Sequence, residues 1–208
     1  RVLNEENAPF YKWFEGGKLN VTHQCLGRHL KSRKNKAAII WEGEDGTKRI
    51  ITYLQLFYRV NRLANLMRNK FNIKKGVRGV LYMPMIPEAT FAMLACARIG
   101  AIHSVVFGGF ASGSLATRID DASPQLIVSS DAGMRGGKAV PYKHLLDDAI
   151  ALARQKPAKV LMIDRGLDKD FNKVEGRDVD YASLRTEFMD AEVPVTWLES
   201  SDPSYILY

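Results

Sequence analysis

The sequence predicts an α/β fold, in which a largely parallel sheet is flanked by helices and preceded by an N-terminal arm and a β-hairpin. Between Val77 and Ile163, short apolar runs alternate with segments of helical periodicity, which is the pattern of βαβ units. Proline and glycine separate these segments, as expected at the ends of strands and helices. The chain has 208 residues, of which 46% are hydrophobic, so it can bury one sizeable core.

Residues 1–36 show little periodicity and are predicted to form an extended arm, with a short helix over Gln24–Lys31. Four aromatic residues are expected to pack this arm against the body of the protein: Phe10, Tyr11, Trp13 and Phe14. The net charge is +7, and part of it lies in a basic cluster between Arg28 and Lys36. No aromatic residue interleaves this cluster, so we favour a solvated surface over a nucleic-acid interface.

The hairpin is predicted from two runs rich in isoleucine, Ala37–Trp41 and Arg49–Tyr53, which flank a segment of turn residues. Thr52 and Gln55 form a capping box that begins a helix with one buried face. Further strands are predicted at Val77–Met83, Ile102–Val106, Gln125–Ser130, Lys159–Ile163 and Ser204–Tyr208. Helices are predicted from Pro87 to Ile99, from Ser112 or Ser114 as cap to Ala122, from Tyr142 to a stop at Lys156-Pro157, and from Asp180 as cap through Phe188. The segments Asp131–Lys138 and Asp164–Asp178 are predicted to be loops.

The first candidate ligand site follows the predicted strand Ile102–Val106. Phe107, Gly108 and Gly109 come directly after this strand, and ligands of open α/β sheets bind at the carboxyl ends of strands. Glycine lets the backbone approach a ligand closely because no side chain stands in the way. The alternative is that the two glycines only form a tight turn.

The second candidate site is the loop Asp131–Lys138, which also follows a predicted strand. Arg135 and Lys138 supply two cations, and Gly136 and Gly137 expose backbone N–H groups. A phosphate can be held bidentately by the arginine and as a point charge by the lysine. The alternative is an ordinary polar loop with solvated charges.

The sequence shows no pattern for a metal site, a dinucleotide site or a disulfide framework. The four histidines do not show metal-ligand spacing, and the glycines match neither a dinucleotide fingerprint nor a Walker loop. Cys25 and Cys96 form neither a disulfide framework nor a zinc pattern, which fits a cytoplasmic protein. No apolar run approaches the length of a membrane span. The residues alone therefore predict an anion-binding site without catalytic or metal-ligating groups. We expect neither a membrane nor a nucleic-acid partner, with a basic nucleic-acid-binding module as the alternative.

The runs Tyr82–Ala89 and Met93–Phe110 closely resemble the short-chain acyl-CoA synthetases, the AMP-forming acetyl-CoA and propionyl-CoA ligases of the adenylate-forming superfamily. The likeness extends over nearly the whole chain and is weakest before Ala37. Three further stretches are more similar to the propionyl-CoA members: Ala132–Lys138, Val140–Lys143 and Val195–Ser200. We therefore favour propionate over acetate as the carboxylate.

The resemblance implies a ligase with a two-step reaction. A short carboxylate attacks the α-phosphate of ATP, with Mg²⁺ as cofactor, to give acyl-AMP and pyrophosphate, and the thiol of coenzyme A then displaces AMP. The segment Phe107–Gly109 is implied to wall the coenzyme A site, and Arg135–Lys138 to contact the nucleotide phosphates of the coenzyme. Acetyl-type members commonly carry arginine where Lys138 stands, so this contact keeps the charge but loses the fork geometry.

The resemblance also implies that the chain is the first part of a longer enzyme. Residues 37–208 are expected to form part of the large N-terminal, AMP-binding domain, ending before the loop that holds the ATP phosphates. The carboxylate pocket, the Mg²⁺ ligand and the C-terminal domain with its catalytic lysine are expected outside the chain, which alone should form no acyl-AMP. The alternative is a standalone basic α/β module that binds nucleotides or nucleic acid without catalysis.

Overall fold

The computed structural model describes residues 1–187 and 192–208, and it begins with short elements followed by a hairpin and a long helix. The short elements are β1 (Leu3–Asn4), β2 (Lys12–Trp13), β3 (Lys18–Leu19), α1 (Val21–Cys25) and α2 (Leu30–Arg33). The hairpin consists of β4 (Ala37–Glu42) and β5 (Lys48–Thr52), and α3 (Tyr53–Phe71) follows it. The predicted capping box is confirmed, because the Thr52 hydroxyl accepts from Gln55 N at 3.2 Å and the Gln55 side chain accepts from Thr52 N at 2.9 Å.

The remaining elements alternate between strand and helix for most of their length. They are β6 (Arg78–Met83), α4 (Pro87–Ile99), β7 (Ile102–Phe107), α5 (Ser112–Ala122), β8 (Leu126–Ser130), β9 (Gly133–Arg135), β10 (Lys138–Val140), α6 (Tyr142–Leu152), β11 (Lys159–Ile163), β12 (Asp178–Asp180), α7 (Tyr181–Leu184), β13 (Leu198–Glu199) and β14 (Tyr205–Ile206).

A six-stranded sheet organises the molecule and confirms the predicted fold class. Its strand order is β12-β11-β8-β6-β7-β14, and every neighbouring pair is parallel. Because all strands run in the same direction, the loops that follow β6, β7 and β8 leave from the same edge of the sheet. Strand β6 lies between β7 and β8, so the two predicted ligand loops leave this edge on either side of β6.

Alternation along β6 divides the core into two layers. Val80 and Tyr82 are fully buried in the layer that contains residues of α5 and α6. Leu81 and Met83 are buried in the opposite layer, with residues of α3 and α4. Successive side chains of a strand point to opposite faces, so this central strand is apolar throughout.

The arm is attached differently from the sequence-based expectation. Phe10, Tyr11, Trp13 and Phe14 are each more than half exposed, so the prediction that these rings pack on the body is wrong. The arm is held instead by the fully buried Asn20, whose Nδ2 donates to Ala97 O at 2.7 Å and to Thr196 O at 2.9 Å. A buried polar side chain with several backbone partners fixes the chain path. The arm also has an apolar contact at Leu26, which is buried in the core.

Three further predictions are corrected by the structure. Helix α5 has Ala111 as its N-cap, without a side-chain hydrogen bond, so neither predicted serine caps it. The predicted loop Asp131–Lys138 contains β9 and the beginning of β10, which pair antiparallel as a hairpin. The predicted loop Asp164–Asp178 ends at an additional strand, β12, which pairs parallel with β11.

The helix predicted after Asp180 is shorter than expected. Asp180 does cap it, since its carboxylate accepts from Ala182 N at 2.9 Å, but α7 ends at Leu184. The predicted end of this helix, Phe188, lies outside the described residues.

Candidate functional site

The Phe107–Gly109 turn lies directly at the carboxyl end of β7. Phe110 N donates to Phe107 O at 3.2 Å, which closes the turn. The Phe107 ring is 57% exposed and meets Phe110 edge-on, with ring centroids 6.1 Å apart. An exposed aromatic ring at the ligand edge of a parallel sheet is available as an apolar wall for a bound molecule.

The second loop is a hairpin with a two-residue turn at Gly136 and Gly137. Their φ angles are +57° and +73°, so both adopt the left-handed conformation that glycine tolerates best. Arg135 and Lys138 flank this turn and are direct partners across the two strands. The side chains of directly opposed residues share one face of a hairpin, so the two predicted cations stand side by side.

Arg135 brings the two predicted loops together. Its guanidinium carbon lies 5.5 Å from the centroid of the Phe107 ring, in a cation–π arrangement. A Cβ added to Gly109 would lie 2.6 Å from Arg135 Nη1, so the guanidinium fills the space beside this glycine. The structure therefore places Phe107, Gly109 and Arg135 in one surface region, although 26 positions separate the last two in the sequence.

The hairpin turn already binds one anionic group of the protein. Gly137 N donates to Glu44 Oε2 at 3.1 Å, and Glu44 lies in the turn between β4 and β5. Arg135 and Lys138, in contrast, form no ion pair with any carboxylate in the described residues. A cleft of about 280 Å³ lies between the two hairpins and is lined by Trp41, Met134 and other residues.

A buried carboxylate fixes the loop after β11 beside this cleft. Asp131 is fully buried and accepts backbone hydrogen bonds from Arg165 at 2.9 Å, Leu167 at 2.7 Å and Asp168 at 3.1 Å. Arg165 Nη1 also donates to Ala132 O at 3.2 Å, and Arg165 lines the cleft. The sequence pattern did not identify Asp131 as a site residue, because the N–H groups that it binds belong to a distant loop.

Tyr142 is a second residue that the sequence did not identify as part of the site. It is the first residue of α6 and is 8% exposed. A Cβ on Gly108 would overlap its hydroxyl, and a Cβ on Gly133 would lie 2.6 Å from its Cε2. Burial raises the pKa of Tyr142, while the nearby cations Arg135 and Arg165 act in the opposite direction. The hydroxyl is therefore neutral at neutral pH.

An ionic network lies behind the site. Lys143 has a fully buried side chain and pairs with Asp147 and, at 3.0 Å, with Asp178. Asp178 also accepts from Arg177 Nε at 2.6 Å and from Val174 N at 2.8 Å. Each buried charge therefore has opposite charges or polar groups around it.

No metal site is evident in the residues that the structure describes. Among them, no group of three His, Cys, Asp or Glu side chains is arranged to hold a metal ion. Within the same residues, no helix is both long and apolar enough to cross a bilayer.

Two family models match the chain. Residues 26–208 match the AMP-binding enzymes, and residues 1–25 match the acetyl-coenzyme A synthetase N-terminus. The first match covers most of the chain, so the protein belongs to the AMP-binding enzyme family. This membership agrees with the six-stranded parallel sheet.

Individual relatives carry more specific names. An acetyl-coenzyme A synthetase of Wolinella succinogenes is 55% identical over 100% of this chain and 32% of its own length. A propionate–CoA ligase of Escherichia coli is 52% identical over 100% of this chain and 33% of its own length. An acetoacetyl-CoA synthetase from Streptomyces lividans has a TM-score of 0.87 at 25% identity, covering 100% of this chain and 31% of that structure.

The chain therefore spans about a third of the length of these relatives. The predicted resemblance to short-chain acyl-CoA synthetases is confirmed. Similar identities to an acetyl and a propionyl enzyme do not separate the two carboxylates.

Proposed function

We propose that this chain forms the coenzyme A side of an AMP-forming short-chain acyl-CoA synthetase. In this reaction a carboxylate oxygen attacks the α-phosphorus of ATP and pyrophosphate leaves. The sulfur of coenzyme A then attacks the acyl carbon, and AMP leaves. The sequence similarity to acetyl-coenzyme A synthetase and propionate–CoA ligase supports this assignment.

The site itself is proposed to bind the nucleotide end of coenzyme A. The observation that carries this proposal is the direct pairing of Arg135 with Lys138 across the hairpin, without a carboxylate partner for either in the described residues. Like charges directly opposite each other on a hairpin are destabilising. A phosphate between them would replace this repulsion with charge-assisted hydrogen bonds. Gly136 and Gly137 leave room above the turn, and Phe107 and Gly109 form the adjoining wall.

Isothermal titration of the chain with coenzyme A and with dephospho-coenzyme A tests this assignment, because the second compound lacks the 3′-phosphate. We expect wild type to prefer coenzyme A, and Arg135→Ala to lower coenzyme A affinity by about tenfold, since a hydrogen bond to a charged group contributes about 1.5–3 kcal/mol. The same substitution should lower the affinity for dephospho-coenzyme A by a smaller factor. Arg33→Ala is the matched control, because Arg33 is exposed and lies outside the site.

Two results would contradict the proposal. If Arg135→Ala and Arg33→Ala change coenzyme A affinity equally, Arg135 does not bind the phosphate. Tighter binding of DNA than of coenzyme A, with a steep loss of affinity in salt, would favour a basic nucleic-acid-binding module instead.

The same proposal includes which carboxylate the enzyme uses and whether this chain alone can activate it. We infer propionate as the preferred carboxylate, from the stretches Ala132–Lys138, Val140–Lys143 and Val195–Ser200. ATP and Mg²⁺ are assigned to the complete enzyme, and the chain alone is expected to release no pyrophosphate from ATP and propionate. A pyrophosphate-release assay on the chain and on the complete gene product, with propionate and with acetate, measures both points.

A further inference from the structure

Tyr142 contacts strand β6 and the segments that follow β7 and β8 at the ligand edge. Its ring packs against the ring of Tyr82 on β6, with centroids 4.9 Å apart and planes inclined by 38°. It also fills the space beside Gly108, which follows β7, and beside Gly133, the first residue of β9. One side chain therefore lies between the Phe107–Gly109 turn and the hairpin that carries both cations.

The Tyr142 ring explains why Gly108 and Gly133 are glycines, because it occupies the space that a side chain would need at either position. A Cβ on Gly108 would overlap Tyr142 Oη and also the neighbouring ring carbons Cζ and Cε1. A Cβ on Gly133 would lie 2.6 Å from Tyr142 Cε2 and 2.9 Å from Pro84 Cβ. Neither glycine has a positive φ, so backbone conformation does not require glycine at these positions. Close packing against Tyr142 requires it instead.

We propose that Tyr142 is the positioning residue of the coenzyme site, whose ring sets the separation between the Phe107–Gly109 turn and the β9–β10 hairpin. This inference rests on the proposed function, because it concerns the same site. Arg135 lies at the end of β9, two residues after Gly133, and its guanidinium must reach the Phe107 ring and Gly109. A change in the separation of the two loops therefore moves Arg135 relative to Phe107 without changing either residue.

The ring, not the hydroxyl, is expected to supply this spacing. In a phenylalanine, the carbons equivalent to Cζ and Cε1 still occupy the space beside Gly108. Tyr142→Phe therefore keeps the spacer, whereas Tyr142→Ala removes it. Rigid positioning of binding groups raises affinity because less freedom is lost when the ligand binds.

The first test measures the preference of each variant for coenzyme A over dephospho-coenzyme A by isothermal titration. We expect Tyr142→Phe to keep the wild-type preference, and Tyr142→Ala to reduce coenzyme A affinity by about tenfold and to bring the ratio of the two affinities close to one. Phe71→Ala is the control for loss of a buried ring, because Phe71 is 7% exposed and packs in the opposite core layer. It should keep the preference although it destabilises the fold.

Two further variants test the inference, and the first of them does not depend on the folding of Tyr142→Ala. Gly133→Ala retains the ring but displaces it, and should also lower the preference. The second variant is Gly108→Ala, studied in a double-mutant cycle with Tyr142→Ala by thermal unfolding. Gly108→Ala should lower the unfolding midpoint in the wild-type background and have a smaller effect when Tyr142 is already alanine.

The outcomes separate the two proposals. If wild type shows no preference for coenzyme A, the proposed function fails, and the double-mutant cycle still decides whether the ring spaces the two loops. A cycle without coupling between Gly108 and Tyr142 would overturn the inference. An unchanged preference in folded Tyr142→Ala, or in Gly133→Ala, would overturn it as well.

Discussion

Replacing Lys143 by methionine should strongly destabilise the protein, because it removes one charge from a buried network. The Lys143 side chain is 1% exposed and the Asp178 side chain is 0% exposed, and their charged atoms are 3.0 Å apart. Breaking a buried ion pair by removing one partner costs about 3–5 kcal/mol, since the other charge stays buried without compensation. Asp178 keeps Arg177 and the N–H of Val174, and Asp147 keeps Arg177, so we expect the lower end, about 3 kcal/mol.

Urea unfolding followed by circular dichroism measures this change as a difference in the free energy of unfolding. Lys75→Met is the matched control, because Lys75 pairs with Asp202 at 2.6 Å but its side chain is 51% exposed. An exposed pair contributes about 0–1 kcal/mol, so the control should remain close to wild type. A Lys143→Met protein within about 1 kcal/mol of wild type would refute the reasoning, because it would show that the buried lysine is not needed to balance Asp178.

Two further predictions concern charge near the site and acid stability. Glu44→Gln should raise coenzyme A affinity about two- to fivefold in titration, since Glu44 occupies the N–H of Gly137 and places a negative charge at the turn, whereas Glu42→Gln on the same hairpin should not. The free energy of unfolding should fall as the pH is lowered from about 5 to about 2, because Asp178 becomes protonated. Burial raises the pKa of this carboxyl, but hydrogen bonds from Arg177, Val174 N and Lys143 outweigh burial, so its pKa is lowered on folding. Its stabilisation is therefore complete above the unfolded pKa of about 3.9 and is lost as the pH falls through the lower folded pKa. Asp178→Asn should weaken the dependence of the free energy of unfolding on pH, and an unchanged dependence would contradict the role of Asp178. An unchanged coenzyme A affinity in Glu44→Gln would contradict the first of these two predictions.

The regular core was predictable because its signals are local. The apolar run of β6, Pro87 at the start of α4 and the capping box of Thr52 and Gln55 each act within one or two turns of chain. Signals of this kind can be read from the sequence because they depend on residues that are close together in the chain. The resemblance to acyl-CoA synthetases rested on longer runs, and the family match confirms it.

The errors occurred where long-range contacts decide the structure. The aromatic arm looked apolar enough to pack, but its attachment depends on Asn20, whose partners lie 77 and 176 positions away. The segment after β8 reads as a loop because of its glycines, yet two of them form the turn of a hairpin. Turn residues occur both in loops and at hairpin turns, so composition alone does not distinguish the two.

The α/β class, the family and two loops could be predicted from the residues, and these loops carry Phe107, Gly108, Gly109, Arg135, Gly136, Gly137 and Lys138. How these loops meet became visible in the folded chain, where Arg135 lies against Phe107 and Tyr142 lies beside Gly108 and Gly133. The physical reason is that strand and helix patterns depend on neighbours in the chain, whereas the fit of a ring beside a glycine depends on groups that only folding brings together.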